Sequence, residues 1–403
     1  YLTTVAVGDL VDFDSISVKE NINLVTNPNF TDTGAEEVTD GNFSNGLDDW
    51  SQNGNFTSTA NQLICNVTDA GLLIYQTPIT PYVVGKTYLY TFDIISISTG
   101  NVRARIGNTL SDAFTTTGSK SAYLVHSGVT PTYFVNYSSD AVIENISVKE
   151  LGADWTVTDG AGTVTFGDSF AEITKTSANP SVYLQQDYAV TLAASHKLTY
   201  TITENTFTGS GTELGLSGAG AYGGAVLNSS VATHTVYLTV TDDTPTAALR
   251  FYSQGDGGSL KISSISVQEL GEGWTPQASD PDGVSYDENG LTIVQSSDLQ
   301  GQTRIYQGSV TLTGKSYKVT YTIHSISLTS GNSIQYYNGD SYVDLPEQGV
   351  GTHTFYYTRE GTSGTWYFNL RTPTDEPTDF VTISSITVQE VGQDWTVGEG
   401  WTV

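Results

Sequence analysis

The sequence predicts an all-β protein built of tandem antiparallel β-sandwich modules joined in a semi-rigid string. Three observations predict this. A cassette recurs four times, as Phe13-Asp14-Ser15-Ile16-Ser17-Val18-Lys19-Glu20 and then as residues 143–150, 262–269 and 383–390. Its apolar and polar residues alternate with period two, which puts Ile and Val on a core face and Ser and Lys or Gln on the other. Its glutamates, Glu20, Glu150, Glu269 and Glu390, stand about 120 to 130 residues apart, the length of a small domain rather than of a solenoid turn. Finally, threonine, tyrosine and valine dominate the segments between cassettes, and no stretch carries helical periodicity with caps.

The cassette spacing divides the chain into the end of a preceding module (1–20), three modules (21–150, 151–269 and 270–390) and the start of a following one (391–403). A length of 403 residues suits the same count. The chain has no methionine, so Tyr1 reads as an internal residue of a longer tandem array. A net charge of −28, from 43 acidic against 15 basic residues, argues against nucleic acid or an anionic membrane as partner. Cys65 is the only cysteine, so stability must come from packed cores rather than a disulfide. No apolar run approaches the roughly 18 residues of a membrane span, and no signal segment opens the chain.

Taken in order, the first cassette is followed by Leu24-Val25-Thr26-Asn27-Pro28-Asn29-Phe30 and then by the stretch from Val38-Thr39-Asp40-Gly41-Asn42-Phe43 to Trp50. In the second stretch a short strand delivers Phe43 to the core, Asn45-Gly46 reverses the chain, and Trp50 caps one end of the sandwich. Each module then has an apolar strand after a turn: Lys86 to Ile95, Lys197 to Ile202 and Lys315 to Ile323. Next come Ser121 to Leu124, Thr235 to Val240 and Thr354 to Thr358, followed by Tyr133 to Tyr137, Ala248 to Tyr252 and Trp366 to Arg371. The joints Leu151-Gly152, Leu270-Gly271 and Val391-Gly392 are too short to swing freely.

The Asp-Gly-Asn-Phe opening with its Gly turn and Trp50 resembles the start of CenC-like carbohydrate-binding modules, galactose-binding-like jelly rolls. The Ile-Ser-Val-Lys-Glu ending is similar to the last strand of such modules as repeated in bacteriophage structural proteins. Modules two and three depart from the pattern, passing from Glu150 and Glu269 through Leu-Gly to Trp155 and Trp274 with no Asn-Phe opening. The resemblance implies a jelly-roll fold and a carbohydrate ligand.

Residues that carry chemistry are sparse. His234 and His353 share a repeat position in Thr-His-Thr and lack partners at ligand spacing, which makes them structural. No nucleophile elbow, His-Glu-x-x-His, phosphate loop or Cys-His pair is present, and no two acids stand out as a glycosidase pair, so an enzyme is not expected and no cofactor is required. Asp280 and Asp282 lie in an acidic Asp-Pro-Asp-Gly loop that could offer oxygen ligands to Ca²⁺, and it is also an ordinary turn composition. Glu150 and Glu269 raise the same question, because the resembled family often carries a structural calcium near the ends of its sandwiches.

The aromatics say more. Where Val236, Leu238 and Val240 face the core, Tyr237 faces away, and Tyr123 and Tyr356 match it. On the following strand Arg250 and Tyr252 take the non-core face in module two, Tyr367 and Arg371 in module three, and Tyr133 and Tyr137 in module one. Sugars stack their CH faces on aromatic rings and hydrogen-bond to Arg, Asn or Tyr, so this face is a candidate glycan platform; tyrosine also serves as plain sheet cover or as a protein interface. The sequence points to an extracellular or virion-surface fibre whose modules bind cell-surface polysaccharide, with neighbouring copies or other virion proteins as further partners. A purely structural rod, or the ancillary region of a secreted polysaccharide-degrading enzyme, are the other readings.

Overall fold

The cassettes at 143–150, 262–269 and 383–390 each form the second half of a long closing strand, and each sandwich is built around one of these. The computed structural model describes residues 23–391 except 67–69, 129–131, 138, 159, 161, 178–179, 193, 210, 246, 272–273, 278–282, 296–301, 309–310 and 373–378. The expected half-modules at 1–20 and 391–403, and the acidic loop with Asp280 and Asp282, therefore lie outside the described residues, Val391 apart. The described chain is all-β, with six sheets of antiparallel strands that form three tandem jelly-roll sandwiches.

In the first sandwich the sheet order is Phe56–Thr59, Gln62–Asn66, Asp140–Leu151, Thr87–Ile97 and Gly118–Val125. It faces a sheet ordered Ser51–Gln52, Ala70–Gln76, Thr132–Tyr137, Asn101–Ile106 and Thr109–Leu110. The second pairs Gly162–Gly167, Phe170–Lys175, Gly258–Leu270, Ser195–Asn205 and Ala232–Thr239 with a sheet of Thr156–Thr158, Val182–Gln186, Leu249–Ser253 and Gly215–Leu216. The third repeats this with Val284–Asp287, Gly290–Val294, Phe380–Glu390, Ser316–Ser327 and Gly351–Thr358 on one side. Its other side carries Thr275–Pro276, Gln302–Gln307, Trp366–Arg371, Ser333–Tyr337 and Tyr342–Asp344. Three hydrophobic clusters fill the three interiors.

The connectivity holds one surprise. Val25 and Phe30, which the sequence places in the first module, belong to the second module's core, whereas Val38, Phe43 and Trp50 belong to the first. The two stretches Val25-Thr26-Asn27-Pro28-Asn29-Phe30 and Val38-Thr39-Asp40-Gly41-Asn42-Phe43 are copies of one opening segment, 13 residues apart, seated in different sandwiches. Each makes the same bonds. The Leu24 and Glu37 amides donate to the Val267 and Val148 carbonyls, at 2.8 and 2.9 Å, and the Ile265 and Ile146 amides donate to the Pro28 and Gly41 carbonyls, at 2.8 and 2.9 Å. The Val267 and Val148 amides are taken by Asn23 Oδ1 and Glu36 Oε1. Gln186 and Gln76 clamp Thr26 and Thr39, each accepting the threonine amide and donating back to its carbonyl. Trp155 and Trp50 donate Nε1 to the Asn27 and Asp40 carbonyls.

Asn27 and Asp40 bend the segment through positive φ (47° and 49°), which short polar side chains tolerate, and Phe30 and Phe43 also sit at positive φ (61° and 56°). For phenylalanine that backbone is strained, and burial of both rings against tryptophan, at centroid distances of 5.2 and 5.4 Å, holds it in place. Module one is thus an insertion: the chain opens module two, builds all of module one, and returns through Leu151-Gly152 to finish module two. The missing Asn-Phe opening of module two is present in the sequence, but ahead of module one.

The cassette expectation holds in part. Ile146, Val148, Ile265 and Val267 are buried, as period two requires, while Ile386 and Val388 are only half-buried. The reason is direct, since no described segment covers the third closing strand where Asn23–Phe30 covers the second. Gly152 and Gly271 both hold φ of 69°, and a Cβ on Gly152 would lie 2.7 Å from the Phe166 ring, so the joint turn needs glycine.

Two outcomes follow from this packing. Phe30→Ala removes a buried ring and should destabilise module two by about 3 to 5 kcal/mol, seen as faster amide exchange along Gly258–Leu270 with no change along Asp140–Leu151. Burial also lowers His196 from its ordinary 6.5 to about 4. A base disfavoured in its charged form when folded keeps its full contribution above pH 6.5 and loses it as pH falls toward 4. The melting temperature of module two should therefore drop between pH 6.5 and 4 by more in the native protein than in His196→Phe.

Candidate functional site

The strands that carry the predicted tyrosines are not neighbours. Gly118–Val125 and Thr132–Tyr137 lie in opposite sheets of the first sandwich, as do Ala232–Thr239 and Leu249–Ser253 in the second and Gly351–Thr358 and Trp366–Arg371 in the third. The connection between them crosses from sheet to sheet, so the single face expected from the sequence is two faces.

On one sheet, Tyr123, Tyr237 and Tyr356 hold equivalent edge-strand positions. Tyr123 reaches the next module: its hydroxyl hydrogen-bonds to Asp168, in the turn between Gly162–Gly167 and Phe170–Lys175, and burial with that carboxylate raises its pKa. Tyr237 is raised in the same way, by burial and then by Glu288 and Asp287 of the corresponding turn in module three. Tyr356 is 65% exposed. Tyr123 and Tyr237 thus lie at the joints between modules, and Tyr356 has no such neighbour among the described residues.

The opposite sheet presents the richer surface. In module three Tyr306 and Tyr367 are cross-strand partners with centroids 5.4 Å apart, and Tyr337 and Tyr342 are partners at 5.1 Å. Tyr337 meets Tyr367 edge-on at 5.7 Å, which joins the four rings into one plate on the non-core face. Beside the plate runs a polar row. Asn369 Nδ2 donates to Gln335 Oε1 at 3.1 Å, and Gln335 Nε2 and Ser333 Oγ donate to Asp344 Oδ1 at 2.8 and 2.7 Å. These bonds, with Arg371 nearby, hold the Asp344 carboxyl below its ordinary range, so it is an anion and an acceptor at neutral pH. Arg304 donates Nη1 to the Tyr342 hydroxyl at 3.0 Å and lies over that ring. Burial raises the Tyr342 pKa, and the Arg304 hydrogen bond opposes the rise.

Of the residues singled out from sequence, Tyr367 and Arg371 belong to this surface, and Tyr306, Tyr337, Tyr342, Arg304, Gln335, Asn369 and Asp344 complete it. The alternation that marked Tyr367 was equally readable in Gln302–Gln307, where Arg304 and Tyr306 face away from Thr303 and Ile305. The same face in module two holds Tyr183 opposite Tyr252 and Gln185 opposite Arg250, with the Arg250 guanidinium 3.9 Å from the Tyr183 ring centre. In module one the strand positions of Tyr133 and Tyr137 are opposite Tyr75 and Ala70, with Arg105 and Asn101 on the other flank.

The remaining candidates have structural partners. His234 and His353 donate Nε2 to the Ser230 and Gly349 carbonyls, both at 2.8 Å, and pack on Tyr200 and Tyr321. Glu150 is paired with Lys86 at 2.9 Å, as Glu390 is with Lys315 at 3.0 Å, while Glu269 is exposed. Among the described residues no three His, Cys, Asp or Glu side chains are grouped as metal ligands. Cys65 is fully buried, and burial pushes its thiol up to about 12, which leaves it an apolar core residue. No described helix is long and apolar enough to cross a membrane.

No protein-family model matches the chain, and no curated protein matches it. Among solved structures, the tandem CBM22-1–CBM22-2 domain pair of Xyn10C from Paenibacillus barcinonensis is similar over 60% of this chain and 94% of its own, at 10% identity and a TM-score of 0.22. The atomic structure of Sulfolobus Turreted Icosahedral Virus is similar over 83% of this chain and 90% of its own, at 11% identity and a TM-score of 0.19. Both scores lie below the range that implies shared topology, so the fold assignment rests on the strands themselves.

Proposed function

We propose that this protein is a multivalent glycan-attachment fibre, exposed on a virion or another extracellular surface, whose modules bind cell-surface polysaccharide without turning it over. The observation that carries the reading is the tyrosine plate of module three with its hydrogen-bonding row. Four rings offer apolar area for the CH face of a sugar, and Asp344, Arg304 and Arg371 offer acceptors and donors for its hydroxyls at the plate's edge. The corresponding faces of modules one and two carry their own tyrosine and arginine, so weak sites on one polymer would gain effective concentration from each other.

A second reading, a structural rod, draws on the joints. The Tyr123–Asp168 hydrogen bond and the insertion of module one into module two both stiffen the string. The two readings combine readily, since a stiff rod fixes the spacing of its sites.

A glycan array followed by calorimetric titration tests the binder. Tyr367→Ala should weaken binding by about tenfold or more, roughly 1.4 kcal/mol, while Tyr356→Ala, on the opposite sheet, should leave it unchanged. Loss with Tyr356→Ala alone, or no glycan bound at all, would remove the attachment reading and leave the rod.

A further inference from the structure

Module three has the seat for an opening segment, and no described segment fills it. Its closing strand pairs with Ser316–Ser327 in the register seen in module two: Ile386 opposite Tyr321 and Val388 opposite Val319, as Ile265 is opposite Tyr200 and Val267 opposite Leu198. The same amides and carbonyls that receive Leu24 and Pro28 in module two therefore point outward from Ile386 and Val388. Gln307 stands where Gln186 clamps Thr26, and Trp274 stands where Trp155 holds the Asn27 carbonyl. Neither side chain has a hydrogen-bond partner among the described residues. Trp274 is half-buried where Trp155 is 1% exposed.

The socket for the aromatic ring is open as well. A cleft of about 240 Å³ is lined by Leu270, Trp274, Tyr286, Leu291, Ile383 and Ile386. Trp155 and Phe166, the counterparts of Trp274 and Tyr286, are the rings that Phe30 meets in module two.

We propose that this groove is a docking site for an extended peptide of the opening motif, a β-branched residue followed by Thr, Asn or Asp, any residue, Asn and Phe, carried by a polypeptide outside these 403 residues. The two copies of the motif in this sequence, Val25–Phe30 and Val38–Phe43, are already seated in modules two and one, so neither they nor those of a second copy are free to supply it. The peptide adds a strand to the outer edge of residues 384–390, places its Thr against Gln307 and buries its Phe beside Trp274.

The test titrates a labelled peptide with the sequence of residues 23–32 into the whole chain, by fluorescence anisotropy and by amide exchange. Saturable one-to-one binding that protects residues 384–390 is expected, with at least a tenfold loss when the peptide's Phe is replaced by Ala and a similar loss for Gln307→Ala. The peptide variant keeps the test valid even if the protein variant misfolds. No binding, or protection confined to Gly258–Leu270, would overturn the proposal. Protection of residues 384–390 without peptide would also overturn it, in favour of a second copy if it grows with protein concentration and of the chain's own residues if it does not.

Discussion

A closing strand that is apolar on its core face and paired along only part of one edge cannot finish a sandwich, and the architecture follows from how that edge is completed. In modules one and two an eight-residue segment lays its backbone against the second half of the strand, and a phenylalanine plugs the gap beneath a tryptophan. The side-chain clamp from Gln76 or Gln186 satisfies a backbone amide and carbonyl that lie beyond reach of the sheet ladder. Burial of Val148 and Val267, compared with the half-exposure of Val388, shows what the segment covers.

Completing module two in this way joins residues 244 positions apart, since Asn23 bonds to Val267. Such contacts ordinarily slow folding, because a long loop must close before they form. Here the intervening module shortens the loop. Thr33 and Glu36 pair with Leu151 and Lys149, so once module one has folded its entry and exit lie side by side, and the opening segment is presented next to the rest of module two.

Much of the fold was legible in the sequence because β-sheet alternation is local. The period-two pattern of Tyr317, Val319, Tyr321 and Ile323 is the burial pattern observed, and the core-facing residues of the cassettes in modules one and two are the ones the phase predicted. What stayed hidden is long-range. The kinship of Val25–Phe30 and Val38–Phe43 was visible as a short repeat, yet nothing nearby says which sandwich each completes. The candidate site divides along the same line. The outward phase of Tyr367 and Arg371 is local, whereas the assignment of Tyr356 and Tyr367 to opposite sheets depends on where the connection crosses. Tyr337 and Tyr342 join the plate through a strand pair that the sequence pattern did not mark.

The insertion also determines how the string carries tension. A pull between Asn23 and Glu390 enters module two directly through the opening segment and leaves through Gly258–Leu270, so module one hangs outside the load path while those bonds hold. Leu24 bonds beside Val267, close to the end of the strand that leads onward, and the pull therefore peels the segment bond by bond rather than shearing it as a block. Its release would pay out the slack between residues 23 and 32, up to the Thr33–Leu151 pair, before any complete sandwich is stretched, and re-docking would restore the original path.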